Sequence, residues 1–101
     1  MSVLHIKNND LEQIKNSDKP ALLDFYADWC GPCRMLSPVI EAIADERDDI
    51  LIAKINVDEN AELAGEYGVV SIPTLIVIKN GEIVNRAMGA RPKSQVLALL
   101  D

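Results

Sequence analysis

The stretch Ala21-Leu22-Leu23-Asp24-Phe25-Tyr26-Ala27-Asp28-Trp29-Cys30-Gly31-Pro32-Cys33 decides how the chain is read. Its first part is nearly continuous apolar residues, the pattern of a central strand buried on both faces; Leu22 to Ala27 is the predicted span. Its second part holds the only two cysteines of the sequence, separated by a Gly-Pro pair. Pro32 suits the first turn of a helix, where its missing N–H costs nothing. Downstream, Met35, Leu36, Val39, Ile40, Ile43 and Ala44 recur at intervals of three and four, giving one buried helical stripe that ends in the polar run Asp45 to Asp49. Pro38 falls inside that stripe and predicts a kink, because it removes a backbone bond and crowds the preceding turn. In this strand-then-helix setting a Cys-x-x-Cys pair reads as redox-active.

Working outward, Val3 to Ile6 predicts a short edge strand. Asn9 followed by Glu12 has the form of a helix cap, with Leu11 and Ile14 as a small apolar face, and the helix stops by Ser17-Asp18-Lys19-Pro20. Ile50 to Val57 is a second buried strand. Asp58 to Tyr67 reads as a helix closed by Gly68. Thr74 to Ile78 is a third β-rich strand. Lys79-Asn80-Gly81-Glu82 carries the strongest short hairpin signal, Asn-Gly, with Ile83 to Met88 as the return strand. Pro92 opens a last helix carrying Val96, Leu97, Leu99 and Leu100, whose end after Leu100 is expected to fray. The alternation of strands and helices implies right-handed parallel crossovers, and the closing hairpin must be antiparallel. The expectation is one α/β domain over residues 1–101, with a mixed sheet and helices on both faces.

The bulk numbers narrow the function. A chain of 101 residues suits one small domain, and 49% apolar with 26% charged residues is a globular balance. A net charge of −6 disfavours general nucleic-acid binding and polybasic membrane contact. Met1 to Asp10 lacks a basic region followed by an apolar core, so it does not read as a signal peptide. No apolar run approaches the roughly 20 residues that span a bilayer. The expectation is a cytoplasmic protein in a reducing compartment, where a lone cysteine pair is catalytic or metal-binding rather than a staple.

The pattern resembles the thioredoxin family over essentially the whole chain. The resemblance rests on Asp24 to Arg34, with Pro38, Lys54-Ile55-Asn56-Val57-Asp58, Ile72-Pro73-Thr74, Asn80-Gly81 and Gly89. It implies the thioredoxin fold, a five-stranded mixed sheet flanked by four helices. It also implies a dithiol that reduces protein disulfides, without a bound cofactor and with electrons supplied by NADPH through a thioredoxin reductase. The implied partners are that reductase and disulfide-containing client proteins, met by a monomer, with no nucleic acid and no membrane. Ser71 stands where glycine is common in the family, and Val70 where a polar residue is frequent; both bear on partner preference rather than chemistry.

Chemistry and resemblance together give each candidate a role. Disulfide exchange needs a thiolate, and a helix N-terminus stabilises one. Cys30 is expected as the exposed nucleophile and Cys33, one turn into the helix, as the shielded resolving thiol; their spacing lets them form a redox disulfide. Asp24 interrupts a buried strand, where a carboxylate is costly and its pKa should rise. By resemblance it lies beneath Cys33 and relays a proton, and the Lys54 ammonium approaches and tunes it. Without the resemblance, Lys54 reads equally as a lysine reaching for water. Trp29 is expected to shield the nucleophile and join the docking face. By resemblance the Ile72-Pro73 bond is cis and its backbone faces the cysteines, so that Ile72 can pair with an extended substrate. Gly31, Pro32, Val70, Ile72, Pro73, Gly89 and Ala90 complete the expected substrate-contact surface. Arg34 adds local positive potential or is simply solvated, and His5 is a surface residue without a role. Two other readings stay open: a binding module that uses the fold as a scaffold, and a metal site. The second is short of ligands, since the chain has one histidine and no second cysteine pair.

Overall fold

Five strands form one sheet in the order β1-β3-β2-β4-β5 in the computed structural model, which describes residues 3–101. Met1 and Ser2, part of the N-terminal stretch read above, lie outside the described residues. The elements in chain order are β1 Leu4–His5, α1 Glu12–Lys15, β2 Ala21–Tyr26, α2 Gly31–Glu46, β3 Leu51–Asn56, α3 Ala61–Glu66, β4 Thr74–Lys79, β5 Glu82–Met88 and α4 Lys93–Ala98. β1, β3 and β2 run parallel, while β4 and β5 are antiparallel to their neighbours. This is the thioredoxin fold expected from the sequence.

β2 occupies the centre because it is apolar on both faces. Leu23 and Phe25 pack with Ala53, Ile55 and Ile76, under Leu11, Ile14, Leu63 and Ala64 from α1 and α3. Leu22 turns the other way and packs with Ile52, Leu75 and Val77 beneath Leu36, Ile40, Ile43 and Val96 from α2 and α4. Asp24, two residues beyond Leu22, shares its face of the sheet and therefore lies on the α2 side. Each fully buried aliphatic side chain in these layers contributes about 1.5–3 kcal/mol.

Pro38 lies inside α2, which continues to Glu46, and Ile40, Ile43 and Ala44 beyond the proline stay buried against the sheet. The hairpin turn is as read: Asn80 and Gly81 both have positive φ, 53° and 81°, the signature of a type I′ turn. The end of α4 is tied rather than loose. Leu100 is buried, and the carbonyls of Leu100 and Leu99 accept from Lys79 Nζ and Asn85 Nδ2.

The cap assigned to Asn9 is a correction. Asp10 Oδ1 accepts from the Glu12 N–H instead, and α1 is one short turn. Asn9 looks across the fold: its Oδ1 accepts from Leu63 N–H at 3.0 Å, while its own N–H donates to Asn60 Oδ1 at 2.9 Å. Asn60, fully buried, donates to the carbonyls of Ile6 and Asn56. Asn9 thus caps α3 in trans. Its positive φ of 54° is a conformation that asparagine tolerates better than most residues. α3 is also shorter than predicted, because Val57 to Glu59 form a turn ahead of it and Asn60 is its N-cap.

Candidate active site

The chain leaves β2 at Tyr26, crosses Ala27-Asp28-Trp29, and enters α2 with Cys30 as the N-cap. Gly31 and Pro32 fill the first helical positions, where no N–H is needed from the proline. The cap position turns the Cys30 sulfur back over the helix start, where the Cys33 N–H donates to it at 3.2 Å. Cys30 and Cys33 are disulfide-bonded, with their Cα atoms 5.3 Å apart. The site therefore stands in its oxidised form, at the helix end whose unpaired N–H groups stabilise a sulfur anion once the bond is reduced.

The predicted contrast between an exposed Cys30 and a shielded Cys33 is not found: the two are 5% and 4% exposed. Both belong to a small cluster with Ala27, against which Tyr26, Val57 and Ile72 pack. Ile72 brings its carbonyl oxygen to 3.9 Å from Cys30 Sγ. Cys30 is covered because segments distant in sequence close over it, which its position at a helix start does not reveal.

Ile72-Pro73 is a cis peptide bond, as the resemblance implied. Pro73 is buried and Ile72 half-buried. The Gly89 N–H donates to the Pro73 carbonyl at 2.8 Å, so Gly89, with φ of 92°, ties the end of β5 to this segment. Trp29 is 69% exposed and Val70 90% exposed. The indole is held by a hydrogen bond from Nε1 to Asp58 Oδ2 at 2.9 Å. Trp29, Val57, Val70 and Ile72 line a groove of about 210 Å³ beside the disulfide. Gly31 is half-buried, and Pro32 and Ala90 are exposed.

Asp24 is 1% exposed, buried within the sheet as its place in an apolar strand implies. Neither carboxyl oxygen has a hydrogen-bond partner among the described residues. Burial pushes its pKa up to about 6, and the charge of Lys54 partly opposes that rise. Lys54 sits directly opposite Asp24 in the β2–β3 register but does not hydrogen-bond to it. Its ammonium donates to Ser37 Oγ at 2.8 Å and lies 4.7 Å from the centre of the Tyr26 ring. Lys54 therefore acts on Asp24 through its charge, while the hydrogen bond of its ammonium goes to Ser37. Arg34 reaches back to the Asp28 carbonyl at 2.8 Å and braces the loop before Cys30. His5 is exposed on β1, as expected.

Three residues of the site escaped the sequence reading: Asp58, Ser37 and Tyr26. Ser37 was accessible in principle, since it follows Cys33 by four positions and must share its helix face. Asp58 lies within the segment Lys54 to Asp58 on which the resemblance rests, but nothing local pairs it with Trp29.

A sequence model described as thioredoxin matches residues 2–101. The chain is 54% identical over 90 residues to thioredoxin 2 of Chlorobaculum tepidum, covering 88% of this chain and 83% of that protein. It is 48% identical over 103 residues to a thioredoxin of Porphyra purpurea, covering 100% and 96%. A thioredoxin of Bacillus subtilis is 50% identical over 88 residues, covering 86% and 85%.

Proposed function

Because the chain belongs to the thioredoxin family and is a thiol–disulfide oxidoreductase with Cys30 and Cys33 as its redox pair, we propose that it reduces protein disulfides and is recharged by an NADPH-dependent thioredoxin reductase. The observation that carries this reading is the disulfide at the start of α2, with the Ile72 carbonyl beside Cys30. It acts as a monomeric domain over residues 1–101, in the cytoplasm. Among the described residues no helix is long and apolar enough to cross a membrane.

In the reduced form the Cys30 thiolate attacks one sulfur of a client disulfide. A bond forms between Cys30 Sγ and that sulfur; the client S–S bond breaks, and the departing thiolate takes a proton from solvent. Cys33 then gives its proton to Asp24 and attacks Cys30 Sγ. The Cys30–Cys33 disulfide forms and the second client thiolate leaves. Two electrons have passed from the dithiol to the client, and the reductase returns them. Asp24 suits the proton step because a buried carboxyl titrating at about 6 can both accept and release a proton near neutrality. Lys54 tunes it through charge. Burial of both sulfurs keeps bulk water and stray thiols from the pair until a client docks.

The docking face is Trp29, Gly31, Pro32, Val70, Ile72, Pro73, Gly89 and Ala90. An extended client segment pairs with the Ile72 backbone, and its side chains enter the groove beside Trp29 and Val70.

The test is a coupled assay with NADPH, a thioredoxin reductase and insulin. The reading expects NADPH consumption that tracks insulin reduction. Turnover with dithiothreitol, but none with reductases of several classes, would contradict the proposed electron source.

A further inference from the structure

Lys54 stands between two cavities of opposite character. One, of about 150 Å³, is lined by Cys33, Ser37, Tyr26, Asp28 and Arg34. The other, of about 240 Å³, is rimmed by His5, Glu41 and Asp45. A lysine ammonium is strongly hydrated and carried on a flexible stem, so left to itself it moves toward water and acids, here Glu41 and Asp45. The structure instead holds it one helical turn nearer Cys33, bonded to Ser37 Oγ at 2.8 Å and over the Tyr26 ring. Ser37 follows Cys33 by four residues, so acceptor and resolving cysteine share one face of α2. Across the sheet, the register sets Lys54 opposite Asp24, whose carboxyl oxygens have no partner among the described residues.

We propose that Ser37 is a positioning residue whose hydroxyl tethers the Lys54 ammonium toward the Cys33 end of α2, where it acts on Asp24, rather than toward Glu41 and Asp45 farther along the same helix. The proposal rests on the reading of Asp24 as the proton carrier and adds the group that fixes its counter-charge. Every charged or titratable neighbour has a defined place. Lys54 faces Asp24 from β3, and Leu75 is its apolar neighbour on β4. α2 contributes Cys33, and Tyr26 follows on β2 itself. Arg34 is engaged by the Asp28 carbonyl. Asp28 and Glu59 act on Tyr26. Burial is the larger influence on Asp24, and Lys54 is the cation that opposes it.

The test follows the side-chain carboxyl carbon of Asp24 by NMR from pH 4 to pH 9 in the oxidised protein. Removing the charge in Lys54→Met should raise the Asp24 midpoint by about 1 pH unit. Ser37→Ala should raise it by about 0.5 unit, because the freed ammonium swings outward. Ser37→Thr, which keeps the hydroxyl, should titrate like the parent. Adding Ser37→Ala to Lys54→Met should move nothing further. An unchanged midpoint in Ser37→Ala, or an equal rise in the Lys54→Met background, would overturn the tether. Activity separates the two readings. If the tether and the relay both hold, the pH profile of client release moves with the carboxyl midpoint. If the midpoint moves and the profile does not, the tether stands and the relay fails.

Discussion

Cys30 Sγ and the carbonyl oxygen of Ile72 lie 3.9 Å apart, although 42 positions separate them in sequence. This contact joins the redox pair at the start of α2 to the segment that leads into β4, the proposed docking segment. Under the proposed function, a client strand laid along Ile72 delivers its disulfide to Cys30. Val70, 90% exposed on the same segment, adds apolar surface to the groove. Val70→Asp is expected to lower kcat/KM for insulin about tenfold, a loss of about 1.4 kcal/mol, while reduction of a small aromatic disulfide changes little. Equal losses on both substrates would place the effect on the sulfurs rather than on docking.

Asp24 couples the site to stability. Its pKa in the fold is about 6, above the ordinary 3.8, so the folded state binds the proton more tightly than the unfolded chain. The associated stability is fully present below about pH 4 and is lost as pH rises through about 6. Between pH 4 and pH 8 this amounts to about 2 kcal/mol. Asp24→Asn has no such titration. Urea unfolding of the oxidised protein should therefore show the variant gaining about 2 kcal/mol on the parent between those two pH values. A difference independent of pH would mean that the carboxyl is not held in an unfavourable ionised state.

The Asn9–Asn60 pair tests the frame rather than the chemistry. Asn60→Ala removes two donors and one acceptor from a fully buried position and leaves the Ile6 carbonyl and the Asn9 N–H without that partner. The expected cost is about 2–4 kcal/mol in urea unfolding, with insulin reduction unchanged under conditions where the variant is folded. A cost below about 0.5 kcal/mol would show that the pair is not a lock.

Much of this was legible in the sequence, for local reasons. The apolar runs of β2 and β3, the stripe of α2 and the Asn-Gly turn each carry their own period or turn chemistry, and the structure follows them to within a residue or two. The residues that misled are those whose partners lie far along the chain. Asn9 has the local form of a cap, yet its acceptor serves Leu63. Cys30 sits where a helix start is commonly open, yet Ile72, Tyr26 and Val57 cover it. Lys54 was read against Asp24, its register neighbour, while Ser37 on another layer took its hydrogen bond. Local pattern sets elements; covering and pairing are set by contacts between layers.

The central claim is an ordered division of labour between two sulfurs whose exposure is nearly the same. It is tested most directly by challenging reduced Cys30→Ser and Cys33→Ser with an oxidised client protein and weighing the products intact by mass spectrometry. The account predicts a stable one-to-one mixed disulfide through Cys30 in Cys33→Ser, and neither adduct nor turnover in Cys30→Ser. An adduct that accumulates on Cys33 in Cys30→Ser, with none in Cys33→Ser, would contradict it.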